Sequence, residues 1–314
     1  MCYFISMMRL GLFGGRRAGR LCSCIFCLAL CLAAAGCRKN GTAAGAGGRE
    51  SVPRRIVSLA PSVTEIVCAV GAFGQLAARS DFCDEPPEVR VLPSAGGFDG
   101  NAVSLEALLS FSPDLVCLSA GMHDFLIPPL EAQGVPCFVS CAESVEGVLD
   151  EILEVGRITG HDGEAEALSA EIRERLAGLA AQSAARGSVR SVYWEVWNPP
   201  YISVGNASFI DELISAAGGR NIFADIAQPY PVVSEELILA RAPDVIFVSE
   251  DGAPLEAVLH RAGWQDIPAV KAGNVYALDA GVVSRPGPRI ADAAALIAAF
   301  LHPELDLDCG ADGE

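Results

Sequence analysis

Residues 104–116, SLEALLSFSPDLV, return 130 positions later as residues 234–246, SEELILARAPDVI. Both runs carry Ser, then Glu two places on, an apolar pair, and Pro-Asp followed by two apolar residues. A second pair echoes in the same order: TEIVCAVG at 64–71 and DELISAAG at 211–218. A solenoid repeats every 20–50 residues, so a period this long points to one lobe built twice. Each copy of the first unit predicts a helix and then a strand. The Ser can cap the helix, the Glu lies in its first turn where the dipole favours a negative charge, and the Pro stops it.

The rest of the chain fits an α/β rhythm of short apolar runs alternating with amphipathic ones, the pattern of parallel sheets. RIVSLA (55–60), DLVCLS (114–119) and VPCFVS (135–140) read as strands, with helices over SVTEIVCAVG (62–71), IPPLEAQG and SVEGVLDEILEVGRITG. The second half restarts with SVYWEVW (191–197) and FIDELISAAGG. It continues through VIFVS, a helix around LEAVLHRAG, the strand NVYALD and a final helix PRIADAAALIAAFLH. Between the halves, residues 162–186 place Ala165, Leu168, Ile172, Leu176 and Leu179 three or four apart, with Asp162 as a possible cap. At 1.5 Å per residue this is a rod of about 37 Å, longer than a crossover helix needs and suited to joining two lobes that close only slightly. The expected fold is therefore α/β, with two Rossmann-like lobes on mainly parallel sheets, one long interlobe helix and a ligand cleft between the lobes. The expected boundaries are 54–160 for the first lobe, 161–187 for the helix, 188–303 for the second lobe and 304–314 for a tail.

The first 36 residues read as an export signal: Arg16, Arg17 and Arg20 precede an apolar run at 21–35 that ends in small residues. AAGC then ends on Cys37, small residues before a Cys that resemble a bacterial lipobox. Residues 37–53 are rich in Gly and Ala, as a flexible tether would be. The signal holds four of the 22 Lys and Arg and none of the 39 Asp and Glu, so the remainder carries 18 basic against 39 acidic side chains. That balance repels nucleic acid and anionic lipid. Of the 12 Cys, five fall in the signal. Cys137 and Cys141 would lie about 13 Å apart in an extended strand, too far for a disulfide. Most of the remainder are expected as buried thiols, and no CxxC pair suggests a metal centre.

A lipid-tethered, acidic pair of α/β lobes joined by one helix resembles the helical-backbone class of substrate-binding proteins of ABC importers, which serves cobalamin, siderophores and haem. The resemblance spans about residues 54–303. It is carried by CDEPPEV (83–89), GGFDG (96–100), EVWNPPYISVGNASFIDELI (195–214), YPVVSEE (230–236) and SRPGPRI (284–290), which look most like the cobalamin-binding members. The resemblance implies export, a lipid on Cys37 that holds the protein at the extracytoplasmic membrane face, a monomer, no catalysis and no cofactor. It also implies a two-fold permease with ATPase subunits as partner.

In open α/β sheets ligands sit beyond the carboxyl ends of the strands, so the loops after strands hold the candidate ligand contacts. These are Phe82 and Cys83; Phe98 between glycines; Met122 and His123; Glu195, Trp197 and Tyr201 around NPP; Tyr230; and Arg285. The resemblance matches Phe82, Phe98, Tyr201, Tyr230 and Arg285 to ligand-contacting positions. A corrinoid is large, flat, mostly neutral and rimmed with amides, so partly exposed aromatic rings and a few hydrogen bonds suit it. Ser119 departs from the pattern, since some relatives carry a large aromatic there. The resemblance further implies that Glu106 and Glu236, one per lobe, dock onto arginines of the two permease subunits. A ferric siderophore or haem is the alternative ligand; anionic siderophores call for a cleft lined with several cations, and the loops supply one clear Arg. A metal ion needs converging His and carboxylates, and three of the four His lie in or beside predicted helices. No GxSxG, Walker or GxGxxG motif points to an enzyme.

Overall fold

The computed structural model describes residues 51–97, 102–250 and 254–303. In the first lobe, β1 (Ile56–Ser58) leads to α1 (Pro61–Ala69), β2 (Leu76–Arg79), α2 (Leu105–Ser110) and β3 (Leu115–Ser119). Then follow α3 (Ile127–Ala132), β4 (Cys137–Ser140) and α4 (Val145–Thr159). The strands form a parallel sheet in the order β2-β1-β3-β4. β1 and β3 are buried along their whole length, as expected of parallel strands covered on both faces.

One long helix, α5 (Asp162–Ala184), leads into the second lobe: β5 (Arg190–Glu195), α6 (Phe209–Ala216), β6 (Gly219–Asn221), α7 (Glu235–Arg241) and β7 (Val245–Ser249). It ends with α8 (Leu255–Leu259), α9 (Pro268–Ala272), β8 (Val275–Leu278), α10 (Ala280–Val283) and α11 (Ile290–Leu301). This sheet is parallel in the order β6-β5-β7-β8, the first order with each strand advanced by four. Both lobes thus share one topology, as the repeats predict.

The repeated residues do the same work in each lobe. Ser104 and Ser234 cap α2 and α7 by accepting from the N–H of Ala107 (3.1 Å) and Leu237 (3.3 Å). The Asp of each Pro-Asp pins the start of the first strand. Asp114 accepts from the N–H of Arg54 and Arg55 (2.8 and 2.9 Å), and Asp244 from the N–H and hydroxyl of Ser191 (2.8 and 2.6 Å). The residue before each Pro turns left-handed, with φ 49° at Ser112 and 43° at Ala242. The second echo ends on Gly71 and Gly218, with φ 87° and 78°, a conformation that only glycine adopts cheaply.

α5 runs for 23 residues, about 34 Å. Its N-cap is His161, whose side chain makes no capping bond, and Asp162 is its first helical residue, not its cap. Gly156 of α4 lets α5 approach so closely that a Cβ there would lie 2.3 Å from the Ala165 Cβ. Of three buried apolar clusters among the described residues, one runs from Ile56 and Ile66 through Ile172 of α5 to Trp194, Phe209 and Leu301. The lobes therefore share a core. Sequence reading missed β2 and β6, both short edge strands whose residues, LAAR and GRN, have little β propensity. It also overstated thiol burial. Cys83 and Cys117 are buried, Cys68 and Cys137 only partly, and Cys141 is exposed; all five are free. The expected signal, Cys37, most of the tether and the tail lie outside the described residues.

Candidate functional site

The carboxyl ends of the two sheets meet at a charged junction. Glu65, in the helix that follows β1, is 4% exposed, yet it is a carboxylate among apolar residues. Its partners come from the other lobe, in the segment after β8. Arg289 donates from Nε to Oε2 (2.7 Å) and from Nη2 to Oε1 (2.8 Å), and Arg285 donates from Nη1 to Oε1 (2.9 Å). Arg285 also reaches Asp84 (2.8 Å) and the Phe82 carbonyl (3.3 Å), both in the loop after β2. Gly287 lies against Ser62 of α1. Burial works against both guanidinium charges, but Glu65, joined at Arg285 by Asp84, more than offsets it, so each arginine holds its proton more firmly than usual. Arg285, predicted as a ligand contact, is thus occupied with joining the lobes.

A second polar cluster lies within the second lobe. Glu195 ends β5 and is buried, so it must be paired. Arg261, after α8, meets it with Nη1–Oε2 at 2.5 Å and Nη2–Oε1 at 2.7 Å, and the Tyr193 hydroxyl adds a bond at 3.2 Å. The Arg261 guanidinium lies 4.6 Å from the Trp264 ring centre and 5.3 Å from that of Tyr201. Tyr201 and Trp264 stack at 24°, and both donate to one oxygen, Glu235 Oε1, at 2.9 and 2.7 Å. Burial, reinforced by the bond to Glu235, pushes the Tyr201 hydroxyl up to about 12.

Three predicted contacts are corrected by burial. Cys83 is enclosed, its Sγ 3.2 Å from the Ser80 hydroxyl and 3.5 Å from the Ser58 carbonyl, and burial pushes its thiol up. His123 is equally enclosed; its Nδ1 accepts from the Ser119 N–H at 3.0 Å and fixes the end of β3. Glu195 is committed to Arg261. All three brace the loops from beneath. Ser119, the departure from the pattern, is itself buried at the end of β3.

The other candidates keep accessible surface. Phe82 is 43% exposed, while Met122, Trp197, Tyr201 and Tyr230 are partly buried. The Trp197 Nε1 donates to the Pro199 carbonyl at 3.0 Å, so its indole is held against the NPP turn. Phe98 lies outside the described residues. Sequence reading missed Phe125 (48% exposed), two residues past His123, and Val232 (67%), two past Tyr230. It also missed Arg261 and Trp264. Their one signal was Glu195, an acid inside an apolar strand, which demands a cation from elsewhere. Glu106 and Glu236 are both exposed in the first turns of α2 and α7. Among the described residues, no helix is long and apolar enough to cross a membrane.

Known proteins resemble the chain along most of its length. A vitamin B12-binding protein of Vibrio cholerae is 32% identical over 248 residues, covering 79% of this chain and 88% of its own. A cobalamin-binding protein of Halobacterium salinarum is 29% identical over 262 residues, 81% of this chain and 70% of its own. Among solved structures, the periplasmic vitamin B12 binding protein BtuF of Vibrio cholerae superposes with a TM-score of 0.67 at 29% identity, covering 80% of this chain and 98% of its own. The periplasmic heme-binding protein RhuT of Roseiflexus sp. RS-1 reaches 0.71 at 27% identity, covering 79% and 98%. The model of the periplasmic binding protein family matches residues 56–282. With two parallel-sheet lobes around one helix, the chain belongs to the periplasmic binding proteins, extracytoplasmic and non-enzymatic solute carriers that work with ABC permeases.

Proposed function

We propose that the protein captures cobalamin or a related corrinoid between its lobes and hands it to a two-fold permease. One observation carries the ligand class: the cations of the loops that meet there are already engaged. Arg261 is held by Glu195, and Arg285 and Arg289 by Glu65. Arg79 donates to the Val89 and Ser80 carbonyls, and Arg90 to the Asp84 carbonyl. What the loops offer instead is ring and aliphatic surface: Phe82, Met122, Phe125, Trp197, Tyr201, Tyr230 and Val232. Such a lining suits a neutral, flat-faced molecule and suits propionates or catecholates poorly. At about 1–2 kcal/mol for each partly buried ring, four or five contacts supply much of the −8 to −12 kcal/mol of micromolar to nanomolar binding, before ordering costs.

Haem is the second reading, favoured by the likeness to heme-binding proteins such as RhuT. Calorimetry with cyanocobalamin, cobinamide and haemin separates the two. Submicromolar corrinoid binding with haemin at least tenfold weaker is expected, and the reverse order overturns the proposal. Phe98 and a lipid on Cys37 belong to the same reading. Mass spectrometry of the membrane-extracted protein should find a diacylglyceryl group on Cys37 as the mature N-terminus.

A further inference from the structure

The two copies of the opening repeat differ in charge at two positions, Phe111 against Arg241, which pairs with Asp225, and Leu105 against Glu235, which bears on the candidate site. Where the second reads Ser234-Glu235-Glu236, the first reads Ser104-Leu105-Glu106. Ser and the second acid keep their places, and both acids stand exposed in a first helical turn. Only the second lobe has a carboxylate between them.

That carboxylate is the hub of the polar cluster described above. A single oxygen, Glu235 Oε1, accepts from the Tyr201 hydroxyl (2.9 Å) and the Trp264 indole (2.7 Å). Trp264 is fully buried, and its ring packs edge-on against Tyr193 of β5 at 6.0 Å, so one donor is anchored in the core. The other donor sits on the loop after β5, with part of its ring accessible. The backbone repeats the connection. The Val233 N–H donates to the Tyr201 carbonyl at 2.9 Å, and Ile202 bridges Val232 in antiparallel fashion. The segment bearing Tyr201 and the segment entering α7 are therefore stitched together twice. A ligand that moves the Tyr201 ring must either carry Glu235 with it or break a hydrogen bond.

We propose that Glu235 is a positioning residue that couples the Tyr201 ring to the first turn of α7, so that the second lobe reports cleft occupancy at Glu236 and the first lobe does not. The proposal rests on the reading of Tyr201 as a ligand contact. It assigns different duties to the two docking acids: Glu106, beside Leu105, offers the same surface whether or not ligand is present, whereas Glu236 shifts with it.

The indole N–H resonances of the purified protein test this, since the sequence has three Trp. Trp264→Phe assigns the reporter. In ligand-free protein, Glu235→Leu, which installs the residue of the first copy, should move the Trp264 signal upfield, while Glu235→Gln, which keeps an acceptor oxygen, should leave it nearly in place. Cyanocobalamin, which is diamagnetic, should then shift the Trp264 signal in the wild type and in Glu235→Gln but not in Glu235→Leu. Tyr201→Phe, which removes only the hydroxyl and leaves α7 intact, should also abolish the shift. Calorimetry should show about tenfold weaker cyanocobalamin binding for Glu235→Leu and less than threefold for Glu235→Gln. A ligand-induced shift that persists in Glu235→Leu and Tyr201→Phe would mean that the corrin ring, or the residue-201 ring stacked on Trp264, acts on the indole without Glu235, and would overturn the coupling. Absence of any wild-type heat with cyanocobalamin would sink the ligand reading instead. The ligand-free spectra would still decide the positioning role, because an unmoved Trp264 signal in Glu235→Leu refutes it.

Discussion

Glu65→Gln is the most informative single change to the lobe junction. The carboxylate is 4% exposed and takes three charge-assisted bonds, two from Arg289 and one from Arg285. Removing one partner of a fully buried pair costs about 3–5 kcal/mol, because the remaining charge is stranded. Here the stranded charges are not fully buried: the arginine side chains are 19% and 29% exposed. Each also keeps another partner, Asp84 for Arg285 and the Gly281 carbonyl for Arg289. Both facts lower the cost to about 2–3 kcal/mol. For a chain of this size that lowers Tm by about 5–10 °C. Thermal melts of Glu65→Gln, Arg289→Gln and the double variant give the coupling, expected at about 1–3 kcal/mol. Arg285→Gln should cost less than Arg289→Gln, since Arg289 grips both carboxylate oxygens. A Tm drop under about 1 °C for Glu65→Gln, with no coupling in the cycle, would show that the cluster does not hold the lobes together.

Other expected outcomes follow from single contacts. Gly218→Ala should destabilise by more than about 2 kcal/mol, since its φ is 78° and a Cβ would meet the Ser183 Cβ at 2.7 Å; Gly71→Ala, whose nearest neighbour is His161 at 3.6 Å, should cost about 1 kcal/mol, measured by urea unfolding. Thiol labelling near pH 8 should modify exposed Cys141 first, because burial pushes Cys137 up to about 11 and Cys68 to about 12. The same raised values stabilise the fold fully below about pH 9 and progressively less as pH climbs towards 12, where the folded protein also ionises, so Tm should fall across that window. Glu106→Arg with Glu236→Arg should leave cyanocobalamin affinity within about threefold and abolish uptake in a transport assay; lost affinity with an intact fold would refute the docking role.

The duplicated unit made most of the fold legible. Ser, Glu and Pro-Asp act through neighbours in sequence or through one strand pairing, so their roles follow from local rules. The central strands were equally plain, because β1, β3 and β7 are apolar up to a closing Ser and β5 carries Val-Tyr-Trp at its centre. The edge strands β2 and β6 were not, since a strand of Gly, Arg and Asn exists only where its neighbour supplies the ladder. The candidate site was half legible for the same reason. A loop after a strand can be located from sequence. Whether its side chain faces outward or braces the loop depends on partners 66 residues away for Glu195 and Arg261, and 220 for Glu65 and Arg285. Cys83 and His123 turned inward because the loops after β2 and β3 need a small or hydrogen-bonding group beneath them. Phe125 and Val232 turned outward with no local signal to mark them.

Duplication also explains where the two kinds of prediction part company. The capping Ser and the Pro-Asp that the copies share hold a lobe together, since either lobe needs a capped helix and a pinned first strand. Of the contacts that join the lobes, Glu65 has a counterpart in the second echo, Glu212, which accepts from the Val145 N–H of the first lobe at 3.1 Å, but the arginines that grip Glu65 have no counterpart after β4. After β4, Glu151 closes the loop by accepting from the Cys141 and Ala142 N–H groups at 2.6 and 2.9 Å, a purely internal arrangement. After β8, the corresponding segment sends Arg285 and Arg289 across to Glu65 instead. The Leu105–Glu235 difference follows the same division. A repeat in the sequence therefore identifies the scaffold and its matched pairs, Glu65 with Glu212 and Glu106 with Glu236, and the residues that break the repeat show where the two lobes take on different duties.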